Sequence, residues 1–258
     1  MVPMFRQRSL PSVSFATTVW EKDWRFILLD SDYLQRRQIE NHDFEFSEKI
    51  VIINNVSNLS SVLDAVSKKI DEGVLTHYYL AEDLACEVLS FFHLKRTDFR
   101  AGPDAENYTG VNADWIYYNA LGPLCALYAA QSDYLLYQTG DVRLNKKTDW
   151  IGKTIVYMKK RPRCKVANLL WNDRIDEARK ESYKRGWRFF VAKEGFSDQM
   201  FLVKRSDFTQ PIYGEIREDS SHFPRGDVWE KRAFSAMKNR GWERLIYVQG
   251  SYVHENFY

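Results

Sequence analysis

The sequence lacks any apolar run near the ~18 residues that a membrane span requires. Its opening, Met1 to Ser12, carries Arg6 and Arg8 but no apolar stretch of the signal-peptide kind. A cytoplasmic protein, or one peripheral to a membrane, is the expectation. Cysteine is scarce. Cys86, Cys125 and Cys164 are odd in number, widely spaced and form no CxxC, which excludes a disulfide scaffold and a cysteine-held zinc. Charge of one sign is lacking as well. The chain sets 37 Lys+Arg against 35 Asp+Glu for a formal charge of +2, too little for the broad basic face of a nucleic-acid binder. Several catalytic signatures are missing too. No GxGxxG follows the first predicted strand and no GxxxxGKS/T occurs, which speaks against nicotinamide-binding folds and P-loop hydrolases. No GxSxG presents a nucleophilic serine, and the five histidines form neither HExxH nor HxH.

What is present is a chain rich in core-forming residues. Hydrophobic residues make up 45% and aromatics 15%, enough for a large core and for walls that stack on the rings of a nucleotide or sugar. Val13, Phe15, Thr17 and Val19 alternate at period two and predict a strand over Ser12 to Val19. Ile50 to Ile53 is a short all-apolar run of the kind covered on both faces of a parallel sheet. Leu59, Leu63, Val66 and Ile70 mark an amphipathic helix that Gly73 stops. Further helices are predicted over Trp24 to Gln38, Asp83 to His93, Asp149 (as cap) to Tyr157, Ile175 to Lys184 and Val228 to Asn239. Strands are predicted at His77 to Leu80, Tyr134 to Tyr137, Val166 to Leu170, Trp187 to Val191, Met200 to Val203 and Leu245 to Val248. Pro123 predicts a helix that starts late, near Gly122, or kinks. Lys95 to Asn112 reads as a long irregular connection. The alternation predicts an α/β fold with a mainly parallel sheet flanked by helices, and a single domain over 1–258.

In open α/β sheets ligands bind beyond the carboxyl ends of the strands. Here those ends carry Thr17, Thr18, Val19 and Trp20 after the first strand, Asn54 and Asn55 after the second, and Gln138 to Asp141 after the Tyr134 strand. Such a collection suits a polar ligand, although helix capping explains each residue singly.

Asn119-Ala-Leu-Gly122, a helix with Ala126 and Ala129, and then Ser132-Asp-Tyr-Leu-Leu-Tyr-Gln-Thr-Gly-Asp141 resemble a run in family 2 glycosyltransferases of the GT-A fold. There an Asn-x-Gly helix precedes a strand that ends in Asp-x-Asp; Thr139-Gly140-Asp141 keeps only the second carboxylate. Gly195 to Val203 is similar to the acceptor-side strand, Gly226-Asp227-Val-Trp-Glu230 to the acidic start of the catalytic helix, and Tyr252-Val-His254 to the carboxy-terminal histidine. The resemblance runs from about Ser12 to Phe257. It implies a nucleotide-sugar-binding part over about 12–145 and an acceptor-binding part over about 146–258.

The implied activity is transfer of a sugar from a nucleotide diphosphate sugar to an acceptor hydroxyl, with inversion, in glycan or polysaccharide synthesis. The acceptor would be a glycan, a lipid-linked intermediate or a protein. Thr17, Val19, Trp20, Asn54, Asn55, Asn119, Thr139 and Asp141 are the residues implied for donor binding. Asp141 and His254 are implied as ligands of a divalent metal, manganese or magnesium. The metal becomes dispensable if Arg143, Lys146 and Lys147 meet the phosphate charge instead. Glu230 is the implied base by family position, with Asp227 and Asp198 as alternatives; acidic residues in a first helical turn also serve the helix dipole. The rival readings are an inactive nucleotide- or glycan-binding module of the same fold and a nucleotidyltransferase.

Overall fold

A computed structural model describes residues 11–30, 32–102, 113–193, 195–219 and 228–255. Its elements are β1 (Val13–Val19), α1 (Trp24–Leu29), a π-helical segment (Tyr33–Ile39), β2 (Glu48–Ile53), α2 (Leu59–Asp71), β3 (His77–Leu80), α3 (Ala81–Phe91), α4 (Ala113–Ala129) and β4 (Tyr134–Thr139). They continue with β5 (Val142–Leu144), α5 (Ile151–Lys160), β6 (Cys164–Trp171), α6 (Ile175–Glu181), β7 (Ser182–Arg185), β8 (Phe189–Ala192), β9 (Met200–Lys204), α7 (Arg205–Phe208), α8 (Trp229–Arg240) and β10 (Glu243–His254).

One ten-stranded sheet runs through the chain in the order β3-β2-β1-β4-β9-β6-β10-β8-β7, with β5 paired to the far end of β10. β3, β2, β1 and β4 are mutually parallel, as are β6 and β10, while β9 lies antiparallel between β4 and β6. Among the described residues seven strands thus point one way, and β5, β8 and β9 oppose them.

Each face carries its own core. Val13, Phe15, Val19, Val51, Ile53 and Leu136 pack on one side with α1, α2 and α5. Ala16, Ile50, Ile52, Leu135 and Tyr137 pack on the other with α3, α4 and α8. Both sides of Ile50 to Ile53 are therefore buried, as its unbroken apolar run predicts.

Several elements depart from the sequence expectations. The helix predicted over Trp24 to Gln38 breaks after Leu29, where Asp30 turns extended and its carboxylate accepts the Asp32 N–H at 2.8 Å. The chain re-enters as a π-helical segment because the Asp32 carbonyl accepts both Arg36 and Arg37 N–H. Helix α4 begins at Ala113, well before Pro123, because Ile116, Ala120 and Leu121 bury fully against the sheet and outweigh the lost proline hydrogen bond. Asp149 does not cap α5; its carboxylate pairs with Lys153 at 2.9 Å and Trp150 takes the cap position. The helix predicted over Ile175 to Lys184 ends at Glu181, since Ser182 to Arg185 pair with β8 as an edge strand. Strands β5 and β7 and the short α7 are additions to the predicted set. Of the predicted irregular stretch Lys95 to Asn112, residues 103–112 lie outside the described residues.

Candidate functional site

Four of the aligned strands bring their carboxyl ends to one region. β4 ends in Thr139, and a two-residue turn, Gly140 and Asp141, reverses the chain into β5. Gly140 is required by space: a Cβ there would lie 2.2 Å from Ile27 Cδ1 and 2.5 Å from the Thr18 carbonyl oxygen. The turn is held from below. Buried Gln38 donates its amide to the carbonyls of Gly140 (2.9 Å) and Val142 (2.8 Å). Trp150 Nε1–H donates to His42 Nδ1 at 2.9 Å, which leaves His42 Nε2–H to donate to Gln138 Oε1 at 3.0 Å. Gln138 in turn donates to the Val142 carbonyl at 3.2 Å.

The turn delivers Asp141 to His254, at the end of β10. His254 Nε2 lies 2.9 Å from Asp141 Oδ2, and Thr139 Oγ1–H donates to Asp141 Oδ1 at 2.7 Å. The Glu255 N–H bonds to the Asp141 carbonyl at 2.8 Å, and Asn172 accepts the His254 N–H at 3.3 Å. β10 reaches this far because its register against β6 jumps between Tyr247 and Ser251, so the strand is longer than its partner. The two side chains implied as metal ligands are thus neighbours, 17% and 29% exposed.

Loop 195–199 closes the other side. The Gln199 carbonyl accepts the Thr139 N–H at 2.9 Å, which sets Asp198 beside the turn. Glu230, in the first turn of α8, accepts the Asp198 N–H at 3.1 Å. Ser197 Oγ and Tyr252 OH are 3.2 Å apart, two residues before His254 on β10. Asp198 is near enough for its charge to act on His254, and Glu230 holds the Asp198 backbone. Asp227 lies outside the described residues.

The hydrogen bond to Asp141 raises the His254 pKa against the opposing effect of burial, with the charges of Asp141 and Asp198 adding to it. His42 behaves in the opposite way: burial pushes its pKa down to about 4. The signs have consequences for the metal-free protein. The stability that His254 contributes is present below its unfolded pKa and is lost as pH rises through its raised folded value. That of His42 is present above the unfolded value of about 6.5 and is lost as pH falls toward 4. NMR titration of the five ring signals should show one histidine, absent in His254→Ala, titrating above the ordinary range. Another, absent in His42→Ala, should stay neutral at pH 5. A His254 that titrates within the ordinary histidine range would refute the first half.

The residues implied for donor binding divide. Trp20 is half-exposed at the β1 end, its N–H held by the Asp23 carboxylate at 2.8 Å. Asn55 is exposed with φ 51°, its N–H on Glu82 at 2.6 Å. Asn54 donates to the Tyr118 carbonyl at 2.7 Å, while Asn54 Oδ1 and Asn119 Oδ1 are buried acceptors without a hydrogen bond among the described residues. Thr17 and Val19 require correction. Their period-two positions put both side chains on the face that holds Val13 and Phe15, where they are fully buried, so neither side chain lines an open site.

One residue that sequence reading missed is Asp23, which is 3% exposed, with Oδ2 3.1 Å from where a Gly140 Cβ would stand. Burial raises its pKa well above the ordinary value, and the charge of Asp141 adds to this against the Trp20 N–H bond. Its only sequence sign is the Trp20-x-x-Asp23 spacing of a local side-chain turn.

A divalent ion suits this donor set in part. A carboxylate and an imidazole are ordinary ligands for manganese, and both are at hand. Among the described residues no third histidine, cysteine, aspartate or glutamate completes a group with them. The chain would supply two ligands, and phosphate oxygens would have to supply others.

No protein-family model and no curated protein sequence matches the chain. Solved structures do. A structure of GalNAc-T7 with UDP, GalNAc and Mn2+ aligns over 96% of this chain and 44% of its own, with a TM-score of 0.54 and 12% identity. A mannosyltransferase from Pyrobaculum calidifontis in complex with GDP-Man and Mn2+ aligns over 95% of this chain and 57% of its own, with a TM-score of 0.51 and 13% identity. The chain spans about half the length of these structures. No helix among the described residues is long and apolar enough to cross a membrane. The sheet order, the helices on both of its faces and these alignments together establish that the chain has a GT-A-like glycosyltransferase fold.

Proposed function

We propose that the protein transfers a sugar from a nucleotide diphosphate sugar to an acceptor hydroxyl. The observation that carries this reading is the Asp141–His254 pair, set at the strand ends of a GT-A-like fold and within reach of the charge of Asp198. Trp20, Asn54, Asn55 and Asn119 would receive the nucleoside. A ribose hydroxyl or base amide donating to Asn54 Oδ1 or Asn119 Oδ1 would relieve buried acceptors that otherwise cost about 1–3 kcal/mol each. Thr139, Asp141 and His254 would hold the diphosphate end, and Thr17 and Val19 contribute through the backbone alone.

Asp141 and His254 would hold a manganese or magnesium ion, which would supply Lewis-acid stabilisation of the departing diphosphate. To ligate it, His254 Nε2 must give up the proton it shares with Asp141. Asp198 and Glu230 are the two described carboxylates available to take the acceptor proton, and they are joined through the Asp198 N–H. Removal of that proton by a carboxylate suits an inverting transfer in glycan or polysaccharide synthesis. The acceptor belongs to the glycan, lipid-linked or protein class.

A second reading, a binding module without turnover, is favoured by Thr139. It stands where a first carboxylate would be, and its hydroxyl occupies Asp141 Oδ1. A melting screen with UDP, GDP and their sugars, with and without manganese, tests the donor site. At 100-fold excess over Kd, stabilisation is about 2.7 kcal/mol, or roughly 5–10 °C for a chain of this size. A shift for one base, larger with manganese, is expected; no shift with any nucleotide would overturn the reading. Release of the nucleoside diphosphate from the matching sugar then separates transferase from binding module.

A further inference from the structure

Beside the Asp141 turn, but lined by neither Asp141 nor His254, lies a cavity of about 620 Å3. The π-helical segment supplies Arg36 and Arg37 to it, and β5 with the following loop supplies Arg143, Lys146 and Lys147, against the acids Asp32 and Glu40. Five cations less two acids give +3 around one cavity, whereas the entire chain sums to +2. The lining thus carries an excess of cations, part of which acids inside and just outside it neutralise.

Local pairing accounts for only part of that charge. Arg36 lies 3.6 Å from Asp32, Lys147 lies 2.9 Å from Asp43 outside the lining, and Arg143 pairs with Glu255. Among the described residues Arg37 and Lys146 have no ion-pair partner. The walls are preformed. Gln38 ties the π-helical segment to the Asp141 turn, Asn41 donates to the Leu144 carbonyl at 2.8 Å, and the Asn41 carbonyl accepts the Thr148 N–H at 2.7 Å. The wide π turn lets two consecutive arginines reach one cavity, and π segments are often found at functional sites. Guanidinium forks and ammonium groups around a polar cavity match the oxygens of a phosphate.

We propose that this cavity is a second anion site that binds a phosphate group without a metal ion, separately from Asp141 and His254. The group can be free phosphate or a phosphate carried by the acceptor. The inference goes beyond the donor reading and does not depend on it.

Calorimetric titration with inorganic pyrophosphate in the presence of a chelator tests it. Binding is expected in the wild type and should weaken about tenfold or more in the Arg37→Ala, Lys146→Ala double variant, whose truncated side chains are exposed. Asp141→Asn should leave the affinity unchanged. Repeating the chelated titration in saturating UDP or GDP should also leave it unchanged; loss there would place the pyrophosphate in the donor site and overturn the proposal. No metal-free binding, or binding indifferent to Arg37 and Lys146, would overturn it too. If neither nucleotide binds, the donor reading fails while the chelated titration still decides this one. A fluorescent lipid diphosphate that competes with pyrophosphate would identify an acceptor-borne phosphate as the source; without competition, free phosphate is the source.

Discussion

Replacing Asp141 with asparagine will reduce sugar transfer on the order of 10²–10³-fold, the usual cost of removing one preorganised electrostatic contact to a developing charge. The same change will remove the manganese-dependent part of nucleotide binding. Asparagine keeps the size of the side chain and can still accept the Thr139 hydroxyl hydrogen bond, so the turn around Gly140 should hold its shape. What disappears is the charge that would bind the ion, and with it the carboxylate hydrogen bond that raises the His254 pKa. His254 should accordingly titrate lower in this variant. Steady-state transfer, metal-dependent melting and the histidine titration check the three parts separately. An Asp141→Asn protein with wild-type transfer would remove Asp141 from the chemistry altogether.

Replacing Trp150 with alanine will destabilise the protein by about 3–5 kcal/mol, the range for truncating a large buried aromatic side chain. For a chain of this size that is a fall of roughly 10 °C in Tm. Trp150 is fully buried, and its indole N–H is the donor that fixes the His42 tautomer. Without it His42 Nδ1 becomes a buried acceptor with nothing to accept from, and the chain of contacts through Gln138 to the Val142 carbonyl loosens. Trp150→Phe separates the two contributions, because it keeps most of the packing and loses only the hydrogen bond. It should cost about 1–3 kcal/mol. Denaturant unfolding of both variants gives the comparison. A loss below about 1 kcal/mol for the alanine variant would mean that this network does not support the fold.

Local patterns carried most of the architecture. Ile50 to Ile53 and Tyr134 to Tyr137 could be read as buried strands because burial on both faces needs no partner to be named, and Gly241, with φ 61°, ends α8 as expected. The break after Leu29 was also written in the sequence, as Asp30-Ser-Asp32, but a continuing apolar pattern through Leu34 masked it. Strand β7 was not legible, since Ser182 to Arg185 owe their conformation to β8.

The site shows the same division. The order of Asn119, Asp141 and His254 along the chain pointed to the pair that meets in the structure. The supports of that pair did not show, because Gln38 is 102 residues from the Gly140 carbonyl it holds, and His42 is 96 residues from Gln138. No short-range spacing encodes such contacts. Thr17 and Val19 were misplaced for a local reason. The alternation that identified their strand also points both side chains into the core.

The separation of 113 residues between Asp141 and His254 imposes an order on synthesis. β1, β2, β3 and β4 pair with one another and have all been translated by Thr139, so this half of the sheet can fold as it leaves the ribosome. β6 has to wait, because both of its neighbours, β9 and β10, are made after it. Unfinished chains carry the carboxylate without the imidazole, and the pair arises only once translation has passed residue 254.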